Sequence, residues 1–366
     1  MLKSNPTFCV LGAGNGGRAM AAHLSLLGFR VTLYNRSLER IQPIQALGEI
    51  ELIADESTEV PVGRAKLELV TTDIAAAIED ADILMVVTTA NGHAYIAEQC
   101  APYLRDGQII VLHPGRTGGA LEFYNILRKR GVEADVIVAE AETLIYACRS
   151  LNPGQVRIFH VKNAVPVAAI PAYRTPDVVK ALRAAYPQFV PGDNVMKTGL
   201  SNIGAIFHPA ITVLNAARIE SAHGEFNYYT EGASPSVARV LEALDKERVA
   251  VAEALGFRVM SAREWMYVAY SIAGRNLYEV IQANPGYADI KAPRTLNHRY
   301  LHEDVPMSLV PIVSIGEMFG VDCPTMRSII DLACIMNERD YWTEGRTVEK
   351  LGIYGLTLKE VRQLVL

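Results

Sequence analysis

The run Gly12-Ala13-Gly14-Asn15-Gly16-Gly17 limits what this chain can fold into more than any other feature. It sets a G-x-G-x-x-G spacing between residues 7–11, an aliphatic and β-branched stretch of strand length, and residues 16–27, whose apolar positions recur at helical intervals. A second strand-like stretch, residues 30–34, follows. In such a strand–turn–helix–strand unit the first glycine makes the tight turn, the second lets the backbone approach a pyrophosphate, and the third packs helix on strand. The helix start adds its N–H groups and the positive end of its dipole. Gly12, Gly14, Asn15, Gly16 and Gly17 are therefore candidate contacts to a dinucleotide, and the unit predicts a Rossmann-type domain.

The end of the second strand selects between dinucleotides. An NAD site usually carries Asp or Glu there for the ribose hydroxyls. This chain has Asn35-Arg36-Ser37. An acidic group would repel a 2′-phosphate, whereas Arg36 pairs with one and Asn35 and Ser37 donate hydrogen bonds. The expectation is NADP(H) in preference to NAD(H). The competing reading has Arg36 solvated, or stacked on the adenine of NAD.

Residues 82–88, 108–112 and 135–139 continue the strand series, and 73–79, 94–104 and 119–130 the helical one. That alternation builds a parallel sheet with helices on both faces. Residues 51–53 and 66–70 read as strand pieces of an insertion before the third main strand, and 155–161 and 165–169 as strands closing the sheet. Pro187, Pro191 and Gly192 then punctuate the chain. Beyond them residues 201–220, 236–254, 263–272, 306–319, 325–337 and 358–366 have helical spacing, and no strand stands out. Ser234-Pro235 reads as an N-cap followed by the favoured first-turn proline, and Gly256 as a helix stop. The predicted fold is α/β, an N-terminal Rossmann domain over residues 1–190 followed by an all-helical substrate or catalytic domain over 191–366. A chain of 366 residues accommodates two such domains.

Charge and cysteine usage exclude other classes. A net charge of −5 and a pI near 6.0 argue against a nucleic-acid partner, which needs a basic stripe. No apolar run approaches the ~20 residues that cross a bilayer. The 5 cysteines are scattered and never form C-x-x-C, so neither a disulfide framework nor a metal site is expected, and a reducing compartment is. Residues 1–4 leave no room for a signal segment. The expectation is a cytoplasmic protein with no membrane partner, and a homodimer on base rates alone.

Two segments of the helical half carry chemistry. Ser201, Ala205, His208, Thr212 and Asn215 fall along one helical face, a small and polar stripe on an otherwise apolar stretch, as a cleft-lining helix requires. His208 is followed by Pro209, which removes a backbone hydrogen bond and is expected to bend the helix. Taken alone, His208 is more often a hydrogen-bonded core histidine than a catalyst. The second segment, Asn297-His298-Arg299-Tyr300-Leu301-His302-Glu303-Asp304, is dense in ionisable groups. There Arg299 has the geometry to grip a carboxylate, and Asp304 to orient the His208 imidazole. A solvated loop capping the next helix is the bland alternative. Phe226, Tyr228, Tyr229 and Glu231 form a polar-aromatic patch read first as surface packing, with contact to the substrate as the alternative.

Taken with Pro114-Gly115-Arg116-Thr117-Gly118-Gly119, the Glu142-Thr143 to Cys148-Arg149 segment, Ser201-Asn202 and His208-Pro209, these features resemble the octopine/nopaline dehydrogenase family over nearly the whole chain. The resemblance implies NAD(P)H-dependent reductive condensation of an amino acid's amine with a 2-keto acid through an imine, or the reverse oxidation. It implies His208 as acid/base, Asp304 behind it, and Arg299 on a carboxylate or the substrate oxygen. Asn202 would line the substrate cleft, and Pro114 and Gly115 would border the nicotinamide; His113 is a weaker acid/base candidate. Asn35 departs from the acidic residue of many members. Two rivals stay open. One is a 2-keto acid or polyol-phosphate dehydrogenase of the same plan, which would use a lysine such as Lys197. The other is a non-catalytic NADP(H)-binding sensor.

Overall fold

The computed structural model of the chain describes residues 5–55 and 58–366. Residues 1–4, on which the expectation about a signal segment rests, lie outside the described residues. The chain divides into two compact units, one holding the described residues up to Thr198 together with Gln363–Leu366, the other Gly199–Arg362.

In the first unit, fully buried four-residue runs form the centre of a sheet: β1 (Phe8–Leu11), β2 (Val31–Tyr34), β6 (Ile83–Val86) and β7 (Ile109–Leu112). Such continuous apolar runs suit strands covered on both faces. Between them the chain forms β3 (Glu49–Ala54), β4 (Gly63–Lys66) and β5 (Leu69–Thr71). Beyond β7 come β8 (Ile137–Ala141), β9 (Tyr146–Asn152), β10 (Gln155–Val161), β11 (Val165–Ile170) and β12 (Phe189–Pro191). The main sheet runs β12-β11-β8-β7-β6-β1-β2-β5. It is parallel except where β11 lies antiparallel to β8. The order reverses between β1 and β6, the switch point at which open α/β sheets bind ligands. Its helices are α1 (Asn15–Leu26), α2 (Leu38–Leu47), α3 (Ile74–Ile78), α4 (His93–Cys100), α5 (Gly119–Lys129) and α6 (Thr175–Leu182).

Two expectations need correction. The strand pieces between β2 and α3 are not one insertion: β5 joins the main sheet beside β2, whereas β3 and β4 form a second sheet ordered β4-β3-β10-β9. Nor does β10 close the main sheet, because Gln155–Ile158 pair in parallel with Glu51–Ala54. Strand propensity is visible in each segment, but pairing across about a hundred residues leaves no local trace.

The second unit is helical, and its recorded β contact is a single bridge, Asn227 to Lys291. Its helices run from α7 (Val195–Leu200), which begins in the first unit, through α8 (Gly204–Leu214), α9 (Ala216–Ser221), α10 (Pro235–Ala254) and α11 (Ala262–Tyr270). They continue with α12 (Leu277–Gln282), α13 (Arg299–His302), α14 (Val310–Met318) and α15 (Pro324–Asn337). Ser234 caps α10 by accepting from Val237 N, and Gly256 takes a positive φ of 73° just past its end. Arg248 is fully buried on α10, where Asp245 accepts its Nη2 at 2.6 Å and the carbonyls of Leu200 and Met260 take two further hydrogen bonds. The other Asp245 oxygen accepts Ala262 N, so one ion pair ties α10 to the end of α7 and the start of α11. Among the described residues no helix is long and apolar enough to cross a membrane.

Candidate active site

The glycine run does what its spacing requires. Gly12 has φ of 119°, where a side chain is strained, and a Cβ on Gly17 would lie 1.7 Å from the Gly12 carbonyl oxygen. Those two positions close the turn so that α1 starts directly over β1. A Cβ on Gly14 would meet nothing within 4 Å, and no side chain caps α1, so the backbone at Gly14 is open on that side. This is a cradle that fits a pyrophosphate. Asn15 is committed elsewhere, its Oδ1 accepting Ser150 N of β9 at 3.1 Å.

Asn35, Arg36 and Ser37 follow β2 at the rim of that cradle. The Asn35 side chain turns inward: its Oδ1 accepts Ala13 N at 3.0 Å and its Nδ2 donates to the Ser37 carbonyl. Arg36 stands over the Tyr95 ring with 5.1 Å between guanidinium carbon and centroid. Ser37 is the N-cap of α2 but makes no side-chain cap bond.

At the carboxyl end of β7, Pro114 and Gly115 begin a loop whose shape depends on Glu140 of β8. A Cβ at Gly115 would lie 2.3 Å from the Glu140 carboxylate. That carboxylate is buried, accepting Ala120 N at the start of α5 and the Thr198 hydroxyl at 2.7 Å. The sequence does not single out Glu140, which sits inside an aliphatic strand. Burial holds His113 down to about 3, so it is neutral near pH 7 and packs against Phe189 at 5.6 Å. His113 is a core histidine.

In the second unit α8 places His208 within reach of Asp304, and Nδ1 lies 2.9 Å from Asp304 Oδ2. The Asp304 side chain is 0% exposed and that of His208 is 15% exposed. A carboxylate only accepts, so Nδ1 carries the hydrogen and Nε2 presents the lone pair. Nε2 lies 3.1 Å from the Tyr229 hydroxyl, whose pKa burial pushes well up, leaving it a donor. Tyr300 stacks on the imidazole at 4.2 Å, and the Tyr228 hydroxyl donates to the His208 carbonyl at 2.8 Å. Pro209 removes that carbonyl's neighbouring N–H, yet α8 runs on to Leu214.

Surface packing is therefore not the role of Tyr228 and Tyr229: both are buried, Tyr229 with its hydroxyl at the imidazole and Tyr228 with its hydroxyl at the His208 carbonyl; Phe226 is buried as well, and Glu231 pairs with Arg218 at the surface. Two more readings change. Ser201 precedes α8 and is not part of the helical stripe, because the helix begins at Gly204. Asn202, also ahead of α8, is buried and donates to Ser308 Oγ at 2.9 Å. Arg299 sits on α13, one turn before Asp304, with its side chain 54% exposed and Nε 3.5 Å from Glu303. Lys197, the lysine a rival chemistry would use, is in a surface pair with Asp193 at 2.9 Å. A surface hollow of about 540 Å³ along α11, lined by Met260, Arg263 and Tyr267 among others, holds none of these residues.

Comparison with known proteins follows the division of the chain. Residues 191–337 match the NAD/NADP octopine/nopaline dehydrogenase alpha-helical domain, and residues 7–115 match the N-terminus of NAD-dependent glycerol-3-phosphate dehydrogenase. The opine dehydrogenase of Arthrobacter sp. (strain 1C) is 41% identical over 361 residues, 98% of each chain. A solved octopine dehydrogenase with NADH and L-arginine superposes with a TM-score of 0.83 at 23% identity, covering 98% of both chains. A yersinopine dehydrogenase with NADP+ superposes at 0.78 and 15% identity over 99% of both, and these two likenesses speak for the fold.

Proposed function

The chain belongs to the octopine/nopaline dehydrogenase family, and from that premise we propose that it joins an amino acid to a 2-keto acid with His208 as the proton carrier and NADPH as the preferred reductant. One observation carries the assignment of roles: the His208 imidazole is held at 2.9 Å by a carboxylate with no exposure to water. A buried carboxylate fixes the tautomer, directs Nε2 outward, and stabilises the imidazolium once it forms.

In this reading the free amine of the amino acid attacks the keto carbon, and the proton it sheds passes to His208 Nε2. That proton goes on to the alkoxide to give the carbinolamine, and the second amine proton follows by the same route to its hydroxyl, which leaves as water and gives the imine. Tyr229, at 3.1 Å from Nε2, holds that atom in register before substrate arrives. Arg299 has an exposed guanidinium for a substrate carboxylate. Asn202 and the Pro114-Gly115 turn line the substrate and nicotinamide positions. The dinucleotide, seated on Gly12, Gly14, Asn15, Gly16 and Gly17, supplies the hydride that reduces the imine carbon. Arg36 supports NADP(H): it is the charged group at the position next to the ribose, and Asn35 brings no carboxylate to oppose a 2′-phosphate. Five thiols recorded as free, at Cys9, Cys100, Cys148, Cys323 and Cys334, support a reducing, cytoplasmic setting. A homodimer completes the reading on base rates.

The test is a matrix of amino acids against 2-keto acids, scored by NADPH consumption and by the mass of a secondary-amine product. We expect a product containing both partners, and a loss in His208→Ala of about 100-fold or more, the scale of general acid–base catalysis. Cofactor oxidation with a keto acid and no amine would favour the simpler dehydrogenase, and full function in His208→Ala the sensor.

A further inference from the structure

Cofactor choice turns on Arg36, an exposed side chain with several rotatable bonds, and in the first unit an aromatic ring stands against it. β2 and β6 flank β1 in the main sheet, and Tyr34, the last residue of β2, is paired in register with Leu11, the residue before Gly12. α4 follows β6 and carries Tyr95 in its first turn. The Tyr34 side chain is buried and hydrogen-bonds to that of Tyr95; burial, with this bond adding to it, pushes the Tyr34 pKa up and keeps its hydroxyl neutral. Tyr95, fixed by that bond, is half-buried, and the Arg36 guanidinium carbon stands over its ring at 5.1 Å from the centroid. The contact thus joins α4 to the end of β2 across the carboxyl end of β1, beside the glycine cradle, where the adenosine half of a dinucleotide belongs.

We propose that Tyr95 is the positioning residue for cofactor choice: its ring holds the Arg36 guanidinium ready for a 2′-phosphate, so that selectivity is set by α4 as well as by the end of β2. The inference rests on the NADP(H) reading. An arginine moving freely in solvent must be ordered when it grips a phosphate, and that loss of rotamer freedom weakens binding. A guanidinium already resting on a ring has lost part of its freedom beforehand. The ring attracts the cation through its quadrupole and, unlike a carboxylate, does not cancel the charge that the phosphate needs. The N–H groups at the guanidinium edge remain the donors to phosphate oxygens. Tyr95 acts only through the arginine. NADH carries a ribose hydroxyl where NADPH carries the phosphate, so it gains nothing from the arrangement.

The experiment is fluorescence titration of the full chain with NADPH and with NADH, no substrate being present. Wild type is compared with Tyr95→Leu, Tyr95→Phe, Arg36→Ala and the double variant Arg36→Ala/Tyr95→Leu. Tyr95→Leu should raise the NADPH Kd about 3- to 10-fold, the range of one cation–π contact, and leave the NADH Kd within about twofold. Tyr95→Phe keeps the ring and should largely restore NADPH binding. In the Arg36→Ala background the leucine substitution should change neither Kd, because the partner through which the ring acts is gone. Equal weakening of both cofactors would place Tyr95 on the adenine they share and overturns the proposal. So does an effect on NADPH that persists without Arg36, or a Tyr95→Leu protein that binds NADPH as wild type does. Should Tyr95→Leu melt early, Tyr95→Gln takes its place in the same cycle. A wild-type protein that binds NADH as tightly as NADPH fails the parent reading, a result seen before any variant is titrated, and the inference falls with it.

Discussion

At His208 three neighbours divide the control of one ring. Asp304 sets which nitrogen carries hydrogen, Tyr229 occupies the other nitrogen, and Tyr300 fixes the ring plane by stacking. Asp304→Asn preserves the volume of a fully buried side chain but no longer requires hydrogen on Nδ1. We expect kcat to fall by about 100-fold or more, with NADPH affinity unchanged because the glycine cradle is untouched. A variant with wild-type kcat would remove Asp304 from the mechanism. The sequence made His208 and Asp304 candidates through chemical type and family likeness. Tyr229 stayed hidden because a tyrosine within an aromatic patch carries no sign of whether its hydroxyl meets water or an imidazole. Glu140 stayed hidden for a different reason: its strand reads as core, and the groups it binds, Ala120 N and the Thr198 hydroxyl, lie 20 and 58 residues away.

At the scale of elements, α1 is fastened to the second sheet by polar contacts as well as packing. His23 Nδ1 meets the Tyr146 hydroxyl at 2.9 Å, and Tyr146 donates in turn to Tyr186 at 2.9 Å. Burial lowers His23 from 6.5 to about 4, as it lowers His113 to about 3. Below pH 6.5 the unfolded chain binds protons that the folded chain refuses, so stability falls as pH drops toward those folded values. Between pH 7 and 5 the loss is on the order of 2 kcal/mol per histidine. Urea midpoints across that range should drop in wild type and drop less in His23→Asn. Equal slopes for both proteins would show that His23 does not titrate as its surroundings require. Periodicity made α1 and β1 plain from the sequence, since both are specified within a dozen residues. The second sheet was not readable, because β3 meets β10 only once the chain between them has folded back.

For the molecule as a whole, the two units carry separate cores, and a dinucleotide bound to the first stabilises that unit by mass action. At 100 times its Kd, NADPH adds about 2.7 kcal/mol, a rise of roughly 5–10 °C in the corresponding melting transition. NADPH should raise that transition more than NADH at equal concentration, and Arg36→Ala should erase the difference; equal shifts in wild type would end the assignment of cofactor preference. The broad architecture, a nucleotide-binding half followed by helices, follows from where hydrophobic period changes along the chain. One contact within that architecture also bears on how such a protein diversifies. The oxygen of Asn35 already braces the loop through Ala13 N, and an aspartate in its place would offer the same acceptor atom. A lineage that places aspartate at position 35 therefore keeps the brace on the glycine turn, and what it gives up is the bond that Asn35 Nδ2 makes to the Ser37 carbonyl.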